Sequence, residues 1–471
     1  MRAITSNDIC RTAAATLGYE QCKKHIAIPI KRDGNHLVVA MADTASCAAI
    51  ADITGMYIVP VVFPAQSILA HIEYILAPVQ KQSIQNHGQH TRQEIADAPA
   101  VRFISIAIEG AIASRASDIH IEPNEGQLRT RYRVDGLLHI ANFSNIALHA
   151  SVVSRLKIMS GMDIAESRRP QDGQFSLAEY EGTDFRLSTL PTTNGEKIAI
   201  RLLRGANSRL KKEDLGFFED DLAALTNLFS SNSGAIIVTG PTGSGKSTTL
   251  NCFLSELNSD ELNIVTIEDP VENPISGVNH VNVDSSADLT FTNTLPWTLR
   301  QDPDVIMVGE MRDEETASIA ISAAITGHLV LSTLHTKDAA GVIERILDMN
   351  VEPYRLAAAL RGIISQRLVR RLCKECRIST TLEPQHAAQF KVKPGAEIFR
   401  AEGCVACNST GYKGRLALCE YVIIDTVATR RLSSHPTKFA RELRDASTFN
   451  INAIRHVLAG NTTIEEILRV I

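Results

Sequence analysis

One stretch of this chain limits its fold more than any other. Ala235-Ile236-Ile237-Val238-Thr239 is an apolar, β-branched run, the composition of a strand buried on both faces of a parallel sheet. Directly after it stands Gly240-Pro241-Thr242-Gly243-Ser244-Gly245-Lys246-Ser247, a complete G-x-x-x-x-G-K-[ST] pattern. Leu250, Phe253, Leu254 and Leu257 then recur at helical spacing, so a helix opens at the loop. Phosphate binding needs that order. Glycines let successive backbone N–H groups curl around phosphate oxygens, and the positive end of the helix dipole lies behind them. Lys246 supplies a charge to the β- and γ-phosphates, and Ser247 a hydroxyl to Mg²⁺. Residues Gly240 to Thr248 are the candidate nucleotide site.

An α/β domain with a parallel sheet is therefore expected, and the rest of the chain is compatible with it. Hydrophobic residues make up 44% and charged residues 21%, which excludes disordered, collagenous and fibrous classes. The 471 residues suffice for three domains at about 150 residues each. A net charge of −5 argues against a nucleic-acid or anionic-lipid partner, since such proteins carry a basic excess. No apolar run approaches the roughly 18 residues of a membrane span. Met1–Asp8 lacks the apolar core of a signal peptide, so the chain reads as cytoplasmic.

The first 77 residues read as a small α/β domain, in which 25–30 and 36–41 flank a hairpin turn at Asp33-Gly34. A helical stretch near 45–53, an apolar run at 57–63 and a second helical stretch ending at Leu76 follow. Residues 78–98, rich in Gln and His without an apolar face, read as a flexible linker. A middle α/β domain covers 99–203. Its clearest strand is Gln127–Val134, where Arg129, Arg131 and Arg133 alternate with Leu128, Thr130, Tyr132 and Val134. The arginines form either a solvated sheet face or an interface for acidic or phosphate partners. Residues 204–220 read as a second linker, and 221–471 as the domain that carries the chemistry.

A nucleoside triphosphatase also needs acids to serve the metal and to orient water. Asn263–Ile267 runs into Glu268-Asp269-Pro270-Val271-Glu272, and Val305–Val308 into Gly309-Glu310-Met311-Arg312-Asp313. Both runs put carboxylates at the C-terminal ends of buried strands, where open α/β sheets bind ligands. Gly309 stands where such strands usually end in Asp, leaving Glu310 to serve the metal. A third strand, Gly327–Thr336, carries His328 and His335 at its two ends, as structural residues or as sensors of the γ-phosphate or of a neighbouring subunit. Of nine cysteines, four form Cys373-x-x-Cys376 and Cys404-x-x-Cys407, separated by the 27 residues 377 to 403. That spacing fits a closed, structural Cys₄ zinc site within a subdomain at about 370–415.

Together these motifs resemble the secretion-superfamily ATPases, the assembly motors of type II secretion systems, type IV pili and DNA-uptake pseudopili. Nearly the whole chain takes part. In the middle domain the family's segments resemble Ala116–Pro123, Arg133–Gly136, Asp163–Glu166 and Arg169–Gly173. In the last domain they resemble the phosphate loop, Glu268–Glu272, Arg300–Asp304, Gly309–Asp313 and Thr326–Thr336. Ser247 stands where Thr is commoner and Ser167 where a charged residue is usual. Pro296-Trp297 departs from the family pattern, and residues 1–77 match the family's docking domain only loosely.

The resemblance implies a hexameric motor: a RecA-like P-loop ATPase domain preceded by a PAS-like α/β middle domain and a small α/β N-terminal domain. By carry-over, Glu268 polarises the attacking water, Glu310 holds Mg²⁺ through water, His328 and His335 read the γ-phosphate, and Arg186 and Arg201 close over the ATP. The four cysteines and the extra N-terminal domain point to an assembly motor rather than a retraction motor. Its implied partners are a polytopic inner-membrane platform protein and other secretion or pilus components, with only peripheral membrane association. The alternatives are a hexameric nucleic-acid translocase, disfavoured by charge and by 5% aromatics, and a low-turnover ATP-gated scaffold.

Overall fold

The computed structural model describes residues 16–33, 36–63, 65, 68, 69, 72, 91–180, 182–204 and 210–471. In the first domain β1 (Ala27–Asp33) and β2 (His36–Met41) pair antiparallel up to Asp33 opposite His36. The expected hairpin is present, while its tip at Gly34 and Asn35 lies outside the described residues. The helix Cys47–Thr54 then carries the chain across to β3 (Tyr57–Val62), parallel to β2, because parallel neighbours need a crossover. Ile28, Leu37, Val39, Met41 and Ile50 form the core. The expected end of the next helix at Leu76 and the linker over 78–90 lie outside the described residues. Residues 91–98, read from sequence as linker, instead begin the helix Thr91–Ala113.

The middle domain consists of β4 (Asp118–Asn124), β5 (Gln127–Val134), β6 (Leu137–Asn145), β7 (Gln171–Ser176), β8 (Thr183–Thr192) and β9 (Gly195–Arg204). They form one antiparallel sheet in the order β6-β5-β4-β9-β8-β7. Strand alternation puts Ile119, Ile121, Leu128, Ile198, Ile200, Phe185 and Leu187 on one face. That face packs on Ile104 and Ile108 of the first helix and on Val152 and Leu156 of the helix His149–Met159. Asp135-Gly136 makes the β5–β6 turn with φ of 48° and 90°, the positive pair that favours Asp-Gly.

The opposite face collects the alternating charges. Glu122 accepts hydrogen bonds from Arg129 (3.1 Å) and Arg131 (2.7 and 2.8 Å), and Lys197 lies 3.0 Å away. Burial alone would raise its pKa, but the hydrogen bonds from Arg131 and Lys197 hold it at about 2. The arginines of β5 are thus partnered largely by acids of their own sheet.

The last domain contains β10 (Gly234–Thr239), β11 (Ile264–Glu268), β12 (Asn279–Asn282), β13 (Val305–Val308), β14 (Leu329–Leu334), β15 (Leu360–Leu372) and β18 (Tyr412–Ile423), with β16 (Ile378–Thr381) and β17 (Glu397–Arg400) forming a separate hairpin. The main sheet has the order β12-β11-β13-β14-β10-β15-β18, parallel except for β18. Ala235 and Ile237 face one core and Ile236 and Val238 the other, which is why β10 is apolar throughout. Within the expected second linker, 205–209 lie outside the described residues. Lys212–Leu215 makes a 3₁₀ turn that buries Leu215 against the core of the last domain, and a helix begins at Glu219.

Candidate nucleotide-hydrolysis site

The loop between β10 and the helix Lys246–Leu257 has the conformation its glycines permit. Gly240 and Gly245 have φ of 151° and 86°, and a Cβ there would approach Gln366 O and Nε2 to 2.4 and 2.9 Å. The chain therefore needs Gly at both positions. Gln366, on β15 and 1% exposed, braces the loop from below. Its Nε2 donates to Ser244 O (2.8 Å), and its Oε1 accepts from Thr249 Oγ1 (2.9 Å). No sequence signal marked Gln366, which lies more than a hundred residues from the loop. Pro241, Thr242, Gly243, Ser247 and Thr248 remain exposed around the loop mouth, while Ser244 Oγ is buried without a partner among the described residues.

Lys246 is buried, and its Nζ donates to Gly240 O (3.0 Å) and Pro241 O (3.2 Å). Burial lowers its pKa, against the pull of the Glu310 charge and with the push of Arg367. Two strands away, β13 delivers Glu310, since only β14 lies between β13 and β10. His335 bridges them, with Nδ1 3.5 Å from Lys246 Nζ and Nε2 3.4 Å from Glu310 Oε2. Because an ammonium only donates, His335 Nδ1 accepts and Nε2–H faces the carboxylate. Glu310 Oε1 also meets Arg312, whose Nη2 lies 3.5 Å from Asp269 Oδ2. A Cβ at Gly309 would crowd Ile267 O at 3.2 Å, so close packing of β13 on β11 accounts for glycine there.

Glu268 ends β11 on the same edge of the sheet, 6% exposed. Thr266 Oγ1 donates to its Oε1 at 2.7 Å, and His280 Nδ1 lies 3.0 Å from the same oxygen. His280 is a second residue that sequence reasoning did not single out.

The other expected site residues lie apart from this cluster. His328 precedes β14 and His335 follows it, so the strand separates them by on the order of 20 Å. His328 Nδ1 faces Ala323 O (3.0 Å) at the end of the preceding helix, and its own carbonyl accepts from Gly234 N at the start of β10. Within this chain His328 therefore lies away from the Lys246–His335–Glu310 cluster and closes a helix–strand turn at the far edge of the sheet. Arg201 pairs with Asp118 (3.0 Å), and Arg186 lies exposed opposite it on β8. Among the described residues neither arginine makes a hydrogen bond or ion pair to the phosphate loop.

The four cysteines converge. Their sulfurs all lie within 4.8 Å of one another, with Cys373–Cys404 and Cys376–Cys407 at 3.8 Å and Cys404–Cys407 at 3.7 Å. A tetrahedral zinc with Zn–S near 2.3 Å requires S···S of about 3.8 Å, so the residues fit that metal. Backbone N–H groups of Gly403 and Gly411 point at Cys376 and Cys407 Sγ (3.3 and 3.2 Å), which suits thiolates. No helix among the described residues is long and apolar enough to cross a membrane.

Comparison with known proteins agrees with this arrangement. Residues 93–469 match the family described as Type II/IV secretion system protein, and residues 3–80 match the MshEN domain. The chain is 45% identical over 380 residues to the Type II secretion system protein HxcR of Pseudomonas aeruginosa, covering 79% of this chain and 77% of that protein. It is 38% identical over 485 residues to the Type IV pilus assembly ATPase PilB of Myxococcus xanthus, covering 95% and 85%. Among solved structures, the pilus retraction motor PilT with bound ADP aligns with a TM-score of 0.54 at 26% identity, covering 78% of this chain and 96% of that one. The Legionella pneumophila ATPase DotB, at 21% identity and a TM-score of 0.59, shares the fold. With a phosphate loop, two strand-end carboxylates and a RecA-like sheet in one domain, the chain belongs to the Type II/IV secretion system protein family and is an ATP hydrolase.

Proposed function

We propose that this protein is a homohexameric motor that powers assembly of type IV pili or of a type II secretion pseudopilus. It couples Mg-ATP hydrolysis to a polytopic inner-membrane platform protein and sits at the cytoplasmic side of that membrane through its partners. The observation that carries the reading is the convergence of Lys246, His335 and Glu310 beside Glu268 at one edge of the sheet.

In this reading the loop amides from Gly240 to Thr248 hold the phosphates, and Lys246 exchanges its loop carbonyls for β- and γ-phosphate oxygens. Mg²⁺, when bound, neutralises charge on those oxygens; Ser247 and, through water, Glu310 are the residues that hold it. Glu268 accepts a proton from the water whose oxygen attacks the γ-phosphorus. The bond from that phosphorus to the β,γ-bridging oxygen breaks, leaving ADP and phosphate. His335, between Lys246 and Glu310, reads whether the γ-phosphate is present. Arg186 and Arg201 reach the nucleotide when the domains close. Cys373, Cys376, Cys404 and Cys407 hold structural zinc. The likeness to an assembly ATPase over 95% of the chain and the N-terminal MshEN match support an assembly role.

The deciding assay is Mg²⁺-dependent ATP hydrolysis against protein concentration, with and without single-stranded DNA, using Lys246→Ala as the blank. Turnover that rises with concentration and ignores DNA is expected. Strong stimulation by DNA would overturn the motor reading in favour of a translocase.

A further inference from the structure

We propose that His280 is a positioning residue for Glu268, holding one oxygen of that carboxylate so that the other faces the attacking water. The inference rests on Glu268 being the base in the hydrolysis proposed above. β12 pairs with β11 in parallel, with Thr266 opposite His280 and Glu268 opposite Asn282, so the hydroxyl, the imidazole and the carboxylate share one face.

The hydrogen bonds around the ring define its tautomer. Ile275 N–H donates to His280 Nε2 at 2.9 Å, so Nε2 carries no proton and the neutral ring bears its proton on Nδ1. Nδ1–H faces Glu268 Oε1 at 3.0 Å and Thr266 Oγ1 at 2.7 Å. The Thr266 hydroxyl donates its own hydrogen bond to the same carboxylate oxygen at 2.7 Å. Two donors thus fix Oε1, and Oε2 carries no hydrogen bond among the described residues. His280 and Glu268 are nearly buried, with side chains 10% and 8% exposed, so bulk water does not compete well for these bonds. The same ring ties the segment after the Glu268 strand, through Ile275, to the edge strand β12. A base held in a single orientation keeps the water in line with the scissile bond, and a base free to rotate does so only part of the time.

The test uses the full chain and reads kcat, KM for Mg-ATP and melting temperature together. His280→Phe keeps a ring of similar size and removes both nitrogens; if it does not fold, His280→Leu takes its place. His280→Asn keeps a side-chain N–H donor at the Nδ1 position and removes the acceptor for Ile275. The apolar variant is expected to lose about tenfold in kcat with KM nearly unchanged, and His280→Asn to recover most of that loss. Wild-type kcat in the apolar variant would overturn the proposal. So would equal losses in the apolar and Asn variants, or a loss confined to KM or to stability. Glu268→Gln is run beside them: turnover surviving in that variant removes the base reading itself, whereas an inactive Glu268→Gln with an unaffected His280→Phe removes only the role of His280.

Discussion

Glu466 offers a direct measure of what holds the C-terminal helix Ile464–Leu468 in place. Its side chain is 3% exposed, and its oxygens accept from Arg370 N (2.9 Å), Arg370 Nη2 (2.8 Å) and Arg469 Nη2 (2.8 Å). Arg370 in turn lies 3.8 Å from the Tyr412 ring centroid, and the Tyr412 hydroxyl meets Thr463 Oγ1 at 3.0 Å. Glu466→Ala strands a half-buried guanidinium, one whose buried Nε already lacks a partner among the described residues. Breaking a buried pair from one side costs about 3–5 kcal/mol. Arg469 is 39% exposed and recovers water readily, so the lower end, about 3 kcal/mol, applies. That is about a hundredfold in the local opening equilibrium.

Native-state hydrogen exchange at Ile467 and Val470, whose amides bond Thr463 O and Ile467 O within this segment, reads this directly, because they are released when the helix undocks and frays. The pH dependence follows from the same contacts. Burial by itself would raise the Glu466 pKa, but the hydrogen bonds from Arg370 overcome it and hold the group below the ordinary glutamate value of about 4.3. A carboxyl with a depressed folded pKa stabilises fully above its unfolded pKa and loses that contribution as pH falls through the folded one. Wild type and Glu466→Ala therefore differ most near neutral pH and converge in acid. Equal exchange in the two proteins at neutral pH would refute the argument.

Three further outcomes are expected. Lys246→Ala abolishes ATP hydrolysis, since the buried ammonium is the only lysine bonded to the loop carbonyls among the described residues, and a wild-type rate in that variant would contradict its role. Glu268→Gln leaves ATP bound and uncleaved, read as retained nucleotide after gel filtration; loss of binding instead would move Glu268 out of the base role. Cys404→Ser removes one of four converging thiols, so metal analysis is expected to fall from one zinc per chain and the melting temperature to drop with it. A stable wild type containing no zinc would contradict the metal reading.

How much of this was legible in the residues follows from how far each signal reaches along the chain. The phosphate loop is local, because strand, glycines, lysine and helix are contiguous and each constrains the next. Glu268 and Glu310 were legible for a related reason, as a carboxylate just past a buried parallel strand lies at the ligand edge whichever strand it is. The cysteines were legible by spacing, although the hairpin of β16 and β17 between the two pairs was not. His328 shows where that logic needs a second step. Residues at the two ends of one strand lie at opposite edges of a sheet, and seven residues of extended chain cover on the order of 20 Å, so only one of the pair can meet the loop.

What stayed hidden is register. Gln366 reaches the loop only because β15 pairs with β10, and His280 reaches Glu268 only because β12 pairs in parallel with Thr266 opposite it. Neither pairing has a local signature: β12 is a four-residue edge strand with exposed ends and two half-buried middle residues, rather than a clean alternation of buried and exposed sites. The arginines of β5 lie between the two cases. Their alternation correctly separated a polar face from an apolar one, but their partners are on neighbouring strands. In this protein the groups proposed to react are written as contiguous motifs. The groups that brace them, Gln366 under the loop and His280 beside Glu268, come from strands whose neighbours are settled only when the sheet assembles. Substitutions at those two positions are therefore the ones for which motif reading and structure make different predictions.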